Sequence, residues 1–455
     1  MPLLAGTAVR DVSPVAPTFL CGYPHVDRVS VGIHDPLLAS ALCLRQGPMA
    51  VLLIAVDILF VSPEFAREVR RQVAERTGIP EAQVFISCTH THSGPVTVDV
   101  LEWGPSPAVP HADPATMTLL RQGIVEAGVA AMAELVPAEL AWTTAQADGV
   151  GGNRHDPDGP RDPEVGILAV RRAGTPQWLA LALIYSMHPT VLHEDSKWVT
   201  ADFPGFTRQY LREAFGEGVT VLYHTGPEGN QSPRYHVRGQ TFAEAERLGR
   251  RLGESVRQSL MALPAERWQA AAVLAGALAC VSLPRRQMPT PAAAEAALWR
   301  YREAFEDVRR RDAGHGPVRT AECDVFGAEE TLFLARCQQD GRLAAALQHY
   351  DPVEVQAVRL GDICLAGCPG ELFVEFGLEI KRRAAAEVFP VTLVNGELQG
   401  YIVTPDAVAA GRYETNNRVF AAEAGEVLVR TAVALVAGLS AVAPAARPGP
   451  YAAER

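Results

Sequence analysis

Short apolar stretches alternate with longer amphipathic stretches along the whole chain. The apolar stretches predict strands, and the stretches with apolar positions about 3.6 residues apart predict helices. The predicted strands cover residues 37–44, 50–61, 83–88, 165–170, 179–186, 219–223, 271–283 and 355–365. The predicted helices cover residues 62–76, 114–135, 205–215, 243–263, 292–311 and 421–439. This alternation predicts a layered α/β or mixed α+β enzyme fold.

The pattern predicts one catalytic domain over residues 1–441. Within this domain, residues 286–345 form a charged helical block, which we interpret as an inserted cap. Residues 442–455 are rich in Ala and Pro and predict a loose tail.

Composition excludes several classes of protein. The 455 residues include 41 Lys and Arg against 52 Asp and Glu, a net charge of −11. Without a basic stripe, the chain does not fit a nucleic-acid binder or a protein held on an anionic membrane by charge. The strongest apolar run, residues 50–56, is too short to be a transmembrane segment. The opening residues lack the order of a signal peptide, so we expect a cytoplasmic protein. Assembly into a homo-oligomer is left open.

A His-X-His motif follows the predicted strand 83–88. The segment 87–95 reads Ser-Cys-Thr-His-Thr-His-Ser-Gly-Pro. The imidazoles of His90 and His92 lie on one side if the strand continues, and they diverge if the chain turns. Ser-Gly-Pro favours a turn, in which one histidine binds a metal and the other faces a substrate or lies behind the metal. An ordinary polar turn is the alternative.

Three further segments also place polar chemistry after a predicted strand, the edge where open α/β sheets bind ligands. They contain His188 before Pro189, Ser232 in a loop rich in Gly and Pro, and Glu371 after a Pro-Gly turn. Each has a structural alternative: a core histidine, an ordinary turn, or an acid at a helix N-terminus. His90, His188 and Glu371 would supply two nitrogens and one oxygen, a donor set that catalytic zinc sites use.

Two tyrosines complete the series. Tyr401 and Tyr413 are twelve residues apart near the end of the chain. Taken alone, each is more typical of a half-buried aromatic whose hydroxyl is hydrogen-bonded.

In order and content these segments resemble the neutral/alkaline (non-lysosomal) ceramidase family. The resemblance runs from Ala5 to Tyr413, and its most specific piece is Thr-His-Thr-His-Ser-Gly-Pro at 89–95. Residues 32–37, 187–190 and 369–371 also follow the family's order. The resemblance implies a layered zinc-hydrolase domain of mixed α/β structure.

The resemblance also implies a Zn²⁺ ion held by His90, His188, Glu371 and Tyr401. The reaction implied is hydrolysis of an amide, in which zinc activates a water and polarises the carbonyl.

The implied catalytic residues surround that ion. His92 corresponds to a histidine beside the metal and would be the general acid/base. Arg154 and Tyr413 would donate to the developing oxyanion. Ser232 either attacks the amide or positions the water that attacks, and the sequence does not choose between these roles.

Four departures from the family pattern bear on the substrate. Asn230 and Arg234 stand where the family's serine loop has Asp and Asn. The chain shows no export signal, 42 residues follow Tyr413 in place of an immunoglobulin-like domain, and no long apolar segment suggests a sphingolipid groove. The first departure motivates the alternative of an ester, lactone or glycoside substrate, and the other three favour a smaller or more soluble N-acyl compound.

The main hypothesis is therefore a zinc-dependent amidohydrolase that acts on a small-molecule N-acyl amide, ceramide-like or smaller. One alternative is a zinc-dependent hydrolase or lyase acting on an ester, lactone or glycoside. A second alternative is a non-catalytic, ligand-binding relative.

Overall fold

The structure is a computed structural model that describes residues 1–101 and 108–441. In chain order the strands are β1 (Leu3–Asp11), β2 (Gly32–Ile33), β3 (Leu38–Gln46), β4 (Met49–Val56), β5 (Val84–Cys88), β6 (Val136–Gln146), β7 (Gly152–Asn153), β8 (Glu164–Arg172), β9 (Trp178–Tyr185), β10 (Trp198–Val199), β11 (Thr220–Thr225), β12 (Gln231–Ser232), β13 (Leu274–Val281), β14 (Val353–Leu360), β15 (Ile363–Gly367), β16 (Glu371–Leu372), β17 (Val388–Val391) and β18 (Tyr401–Ile402).

The helices lie between these strands. In chain order they are α1 (Pro63–Thr77), α2 (Pro114–Ala133), α3 (Phe203–Phe215), α4 (Phe242–Met261), α5 (Pro291–Arg310), α6 (His315–Asp340), α7 (Arg342–Ala346), α8 (Val374–Arg383), α9 (Pro405–Ala410), α10 (Tyr413–Asn416) and α11 (Ala424–Ser440).

Two sheets form the centre of the molecule. The larger sheet has the strand order β11-β9-β8-β6-β1-β3-β4-β5, and the smaller has the order β13-β14-β15-β17. Three two-stranded pairs, β2 with β10, β7 with β12 and β16 with β18, hold loops beside them. The predicted mixed α/β fold is confirmed.

The sheets pack face to face, with helices outside them. Alternate residues of β4 point to opposite sides: Leu53 packs toward the smaller sheet, and Ile54 packs toward α1 and α2. Likewise, Leu365 of β15 faces the larger sheet, and Ala366 faces α8 and α11. Because these strands are buried on both faces, their sequences read as continuous apolar runs.

The larger sheet curls so that its two edge strands approach each other. Ser87 Oγ in β5 lies 2.7 Å from His224 Nδ1 in β11, and Thr225 Oγ1 donates to the carbonyl of Thr89 at 2.8 Å. Strands that are far apart in the sheet order therefore end close together. This brings the segment after β5 next to the segments after β9 and β11.

Two predicted strands have wrong boundaries. The predicted strand 50–61 ends at Val56, because Asp57 bends the chain and its carboxylate accepts from Leu38 N at 2.9 Å and from Arg208 Nη2 at 2.7 Å. The predicted strand 355–365 is a hairpin of β14 and β15, and its turn contains Gly361 with φ +75°. Apolar periodicity does not reveal a two-residue turn inside a buried run.

The block predicted as a cap contains α5, α6 and α7. Its role as a cap and the single-domain boundary 1–441 stay predictions, and the predicted tail 442–455 lies outside the described residues. Within the described ranges, no helix is long and apolar enough to cross a membrane.

Candidate active site

The His-X-His motif lies in a sharp turn after β5, where His90 has φ +69°. The Nδ1 atoms of His90 and His92 lie 3.0 and 3.2 Å from the carbonyl oxygens of Leu59 and Gly22. A carbonyl only accepts, so each Nδ1 carries the proton and each Nε2 presents a lone pair. The two Nε2 atoms are 3.3 Å apart. The expectation that a turn makes the rings diverge is wrong, because the left-handed backbone at His90 directs both inward.

His188 follows β9 and points to the same place. Its Nδ1 lies 2.8 Å from the carbonyl oxygen of Glu228 and 3.0 Å from that of Gln231, so its Nε2 also presents a lone pair. Glu371 Oε2 lies 3.1 Å from His188 Nε2 and 3.3 Å from His90 Nε2. The structure thus brings these two histidines and the carboxylate together.

Glu371 and Tyr401 are held side by side by backbone pairing. In the parallel pair of β16 and β18, Glu371 is in register with Tyr401 and Leu372 with Ile402. The ring of Tyr401 meets the ring of Tyr413 edge to face at 5.8 Å. Burial and the charge of Glu371 raise the pKa of the Tyr401 hydroxyl well above its ordinary value.

Arg154 is fixed beside Tyr401 by a buried carboxylate. Its Nε and Nη2 both lie 2.5 Å from Glu414 Oε1, and its Cζ lies 5.3 Å from the centre of the Tyr401 ring. His155 Nε2 lies 2.6 Å from the other oxygen of Glu414. Burial opposes a charge on Glu414, yet Arg154 and His155 hold the pKa of this carboxyl well below its usual range.

Ser232 lies on the strand next to the Arg154 loop. β12 pairs with β7 so that Ser232 is opposite Gly152, and Arg154 N donates to the carbonyl of Asn230 at 2.9 Å. Ser232 Oγ accepts from Arg234 N at 3.3 Å. Within the described residues, Ser232 Oγ makes no hydrogen bond to an imidazole.

Charge is divided unequally among the clustered side chains. Burial opposes ionisation, but the adjacent imidazoles of His90 and His188 hold the pKa of Glu371 well below its usual range. Burial, followed by the charge of Arg154, lowers the pKa of His188 to about 4. Burial lowers the pKa of His92 well below its ordinary value. His188 and His92 are therefore neutral at pH 7, the form in which an imidazole binds a metal or accepts a proton.

Glu228 is a member of the cluster that sequence reasoning missed. It is fully buried, and Thr392 Oγ1 donates to its Oε2. Its Oε1 has no hydrogen-bond partner among the described residues, and burial raises the pKa of the carboxyl to about 8. The only sequence signal was an acid in the loop of Ser232 immediately after a buried strand, and the sequence does not show which side chain of that loop points inward.

The cluster fits a metal ion such as zinc. One ligand atom each from His90, His92 and His188 lie within 4.8 Å of one another, and so do those from His90, Glu228 and Glu371. Tetrahedral zinc with bonds of about 2.0–2.1 Å places neighbouring ligand atoms about 3.3 Å apart. Glu371 Oε2 lies at similar distances from two nitrogens, 3.3 Å from His90 Nε2 and 3.1 Å from His188 Nε2. The orphaned oxygen of Glu228 is a further sign of a missing cation.

Two cavities border the cluster. The first, of about 520 Å³, has an apolar wall formed by Leu59, Phe60, Leu393 and Leu398. The second, of about 830 Å³, lies between the Ser232 loop and α6 and is lined by three arginines, Arg154, Arg234 and Arg319. Residues of the predicted site that line at least one cavity are His90, His92, Arg154, Ser232, Glu371, Tyr401 and Tyr413.

Metal-dependent hydrolases typically bring neutral imidazoles and a carboxylate together at the edge of a sheet, with an arginine opposite them. Residues 3–223 match the family "Neutral/alkaline non-lysosomal ceramidase, N-terminal". The predicted resemblance to that family is therefore confirmed over this part of the chain. The family's reaction is hydrolysis of a carbon–nitrogen bond other than a peptide bond, so the predicted enzyme class is also confirmed.

Individual relatives extend the similarity beyond the matched residues. The neutral ceramidase of Mycobacterium tuberculosis (strain ATCC 25618 / H37Rv) is 23% identical over an alignment that covers 92% of this chain and 74% of the relative. The crystal structure of neutral ceramidase from Pseudomonas aeruginosa has a TM-score of 0.74 at 16% identity and covers 97% of this chain and 75% of that one. A ceramidase complexed with C2 has a TM-score of 0.75 at 16% identity, covering 96% and 75%.

Proposed function

We propose that the protein is a zinc-dependent amidohydrolase that cleaves an N-acyl amide, ceramide-like or smaller, to a carboxylic acid and an amine. The observation that carries the proposal is that His90 Nε2 and His188 Nε2 both lie within 3.3 Å of Glu371 Oε2. Each histidine is fixed by a carbonyl at Nδ1, the arrangement that orients imidazole metal ligands. Tyr401, in register with Glu371, is the proposed fourth ligand.

A zinc ion bound there would lower the pKa of a water to about 7 and polarise the amide carbonyl. His92 accepts a proton at Nε2, since its Nδ1 proton is committed to the Gly22 carbonyl. It returns that proton to the leaving nitrogen. Arg154, held by Glu414, and the hydroxyl of Tyr413 donate to the oxyanion.

Water is the proposed nucleophile, and Ser232 positions the amide. A serine nucleophile needs a base within about 3 Å of its hydroxyl, and among the described residues no imidazole contacts Ser232 Oγ. The Ser232 hydroxyl is instead held by the backbone of its own loop. The cytoplasmic location and the homo-oligomer stay predictions.

The test combines metal analysis with a substrate panel. We expect about one zinc per chain in the purified protein, loss of that zinc in His90→Ala, and full retention in His111→Ala, a matched change at an exposed histidine. The wild type should release amine from N-acyl amides. If the wild type binds zinc but hydrolyses only esters or lactones, the amide proposal is replaced by the alternative of an ester or lactone hydrolase. If the wild type contains no metal, the alternative of a ligand-binding relative is favoured.

A further inference from the structure

We propose that Arg234 binds a carboxylate on the amine side of the substrate, so that the protein prefers N-acyl amino acids over neutral N-acyl amides. This inference rests on the proposed amidohydrolase function. It starts from the second cavity, which is lined by His92, Ser232, Arg154 and Arg234.

Arg234 is half-buried and held in place at one end of its guanidinium. Its Nη1 donates to the carbonyl of Arg154 at 3.1 Å and to Thr320 Oγ1 of α6 at 3.0 Å. Its Nη2 has only a long contact of 3.9 Å, to Cys323 Sγ. Both Nη1 protons are thus used, while the edge formed by Nε and Nη2 keeps two parallel donors for a ligand. Two such donors match the two oxygens of a carboxylate.

The charge of Arg234 is not neutralised by the protein. Among the residues in 1–101 and 108–441, it forms no ion pair, whereas the other two arginines that line the cavity are paired. Arg154 has Glu414 at 2.5 Å, and Arg319 has Glu194 at 2.8 Å. Among the described lining residues the only acid is Glu330, and burial raises its pKa well above its usual value, which disfavours its charged form. A half-buried cation without a partner favours an anionic ligand.

The two cavities differ in a way that gives the substrate a direction. The first is walled by Leu59, Phe60 and Leu398 and suits an acyl chain. The second presents Arg234 and suits a compact charged group. His92 and Tyr401 border both, so the amide would lie between them. An alkyl chain in the second cavity would bury the charge of Arg234 without a partner, which is costly.

The experiment compares N-decanoylglycine with N-decanoylglycinamide, which differ only in replacing the carboxylate by a neutral amide. With zinc-loaded wild type, we expect kcat/KM to be about 10- to 100-fold higher for N-decanoylglycine, the range of a charge-assisted hydrogen-bonded pair. Arg234→Gln should remove this preference, so that the values of kcat/KM for the two compounds come within about threefold of each other. Arg238→Gln, a change at an exposed arginine nearby, should keep the preference.

A binding measurement separates the two proposals. Calorimetry should show that N-decanoylglycine binds more tightly than the glycinamide, with the difference lost in Arg234→Gln. Binding of this kind without hydrolysis of either compound would keep the carboxylate site and reject the amidohydrolase. Hydrolysis of both compounds at similar rates, unchanged in Arg234→Gln, would keep the amidohydrolase and reject the carboxylate site.

Discussion

The two ends of the site are built from different kinds of contact. At the metal end, defined by His90, His92, His188 and Glu371, each imidazole is held at Nδ1 by a backbone carbonyl. At the substrate end, defined by Arg154, Ser232 and Arg234, the two arginines also depend on side chains of α10 and α6. Backbone contacts survive changes in neighbouring side chains, whereas pairs of side chains do not. We therefore expect the metal end to tolerate substitutions of neighbouring side chains better than the substrate end does.

The largest expected effect is at the metal end. Glu371→Ala removes the oxygen that lies between the two histidines, so the metal should be lost and kcat/KM should fall at least about 1,000-fold. Zinc content and amide turnover measure this. Glu379→Ala, a change at a partly exposed acid in α8, is the control and should alter neither. A Glu371→Ala protein that keeps both zinc and activity would remove this residue from the ligand set.

The next effect is at the substrate end. Glu414→Gln leaves Arg154 buried without its charge partner, and we expect a loss of about 3–5 kcal/mol in the free energy of unfolding together with about 100-fold in kcat/KM. Urea denaturation and kinetics measure the two losses. Arg382→Gln breaks an exposed pair with Glu379 and should change stability by less than about 1 kcal/mol.

The same pair predicts a pH dependence. Because the pKa of Glu414 is lower in the folded protein, its contribution is fully present above the unfolded value near 4.3 and is lost as pH falls toward the folded value. The difference in unfolding free energy between wild type and Glu414→Gln should thus shrink below about pH 4.5. A difference that stays constant from pH 7 to pH 3 would contradict the charge pair.

A smaller effect is expected at Ser232. If this hydroxyl positions the amide, Ser232→Ala should lower kcat/KM by about 10- to 100-fold, the cost of a hydrogen bond made to the reacting group. No acyl group should accumulate on the wild-type protein when rapid-quench samples are examined by mass spectrometry. A trapped acyl ester on Ser232 would show that the serine itself attacks.

The smallest effect is expected behind the metal ligands. Glu228→Gln keeps the shape of the side chain but cannot ionise next to a bound cation, and zinc affinity should fall about tenfold, the lower end of effects from residues around a metal site. Competition with a chelator measures this affinity. At saturating zinc, kcat of Glu228→Gln should stay within about threefold of the wild-type value. An unchanged zinc affinity would show that Glu228 does not contribute to metal binding.

Sequence reasoning succeeded where a residue's position follows from a buried strand. His188 and Glu371 lie after strands, and strands that are buried on both faces can be recognised in the sequence as apolar runs. It failed where geometry depends on a single backbone angle or on contacts between distant segments. The convergence of His90 and His92 depends on one left-handed residue, and the inward direction of Glu228 depends on packing against Thr392. The turn at Gly361 was not predicted, because both strands of the hairpin that it joins are apolar.

The backbone of His90 also makes this histidine unusually easy to replace. A φ of +69° is natural for glycine, so His90→Gly should remove the imidazole without backbone strain and leave a ring-shaped hole next to Leu59. Free imidazole in the buffer could enter that hole and supply the missing nitrogen. At a ligand position with an ordinary φ, glycine adds freedom to the unfolded chain and gains nothing in the folded one, whereas at His90 it also relieves a left-handed backbone.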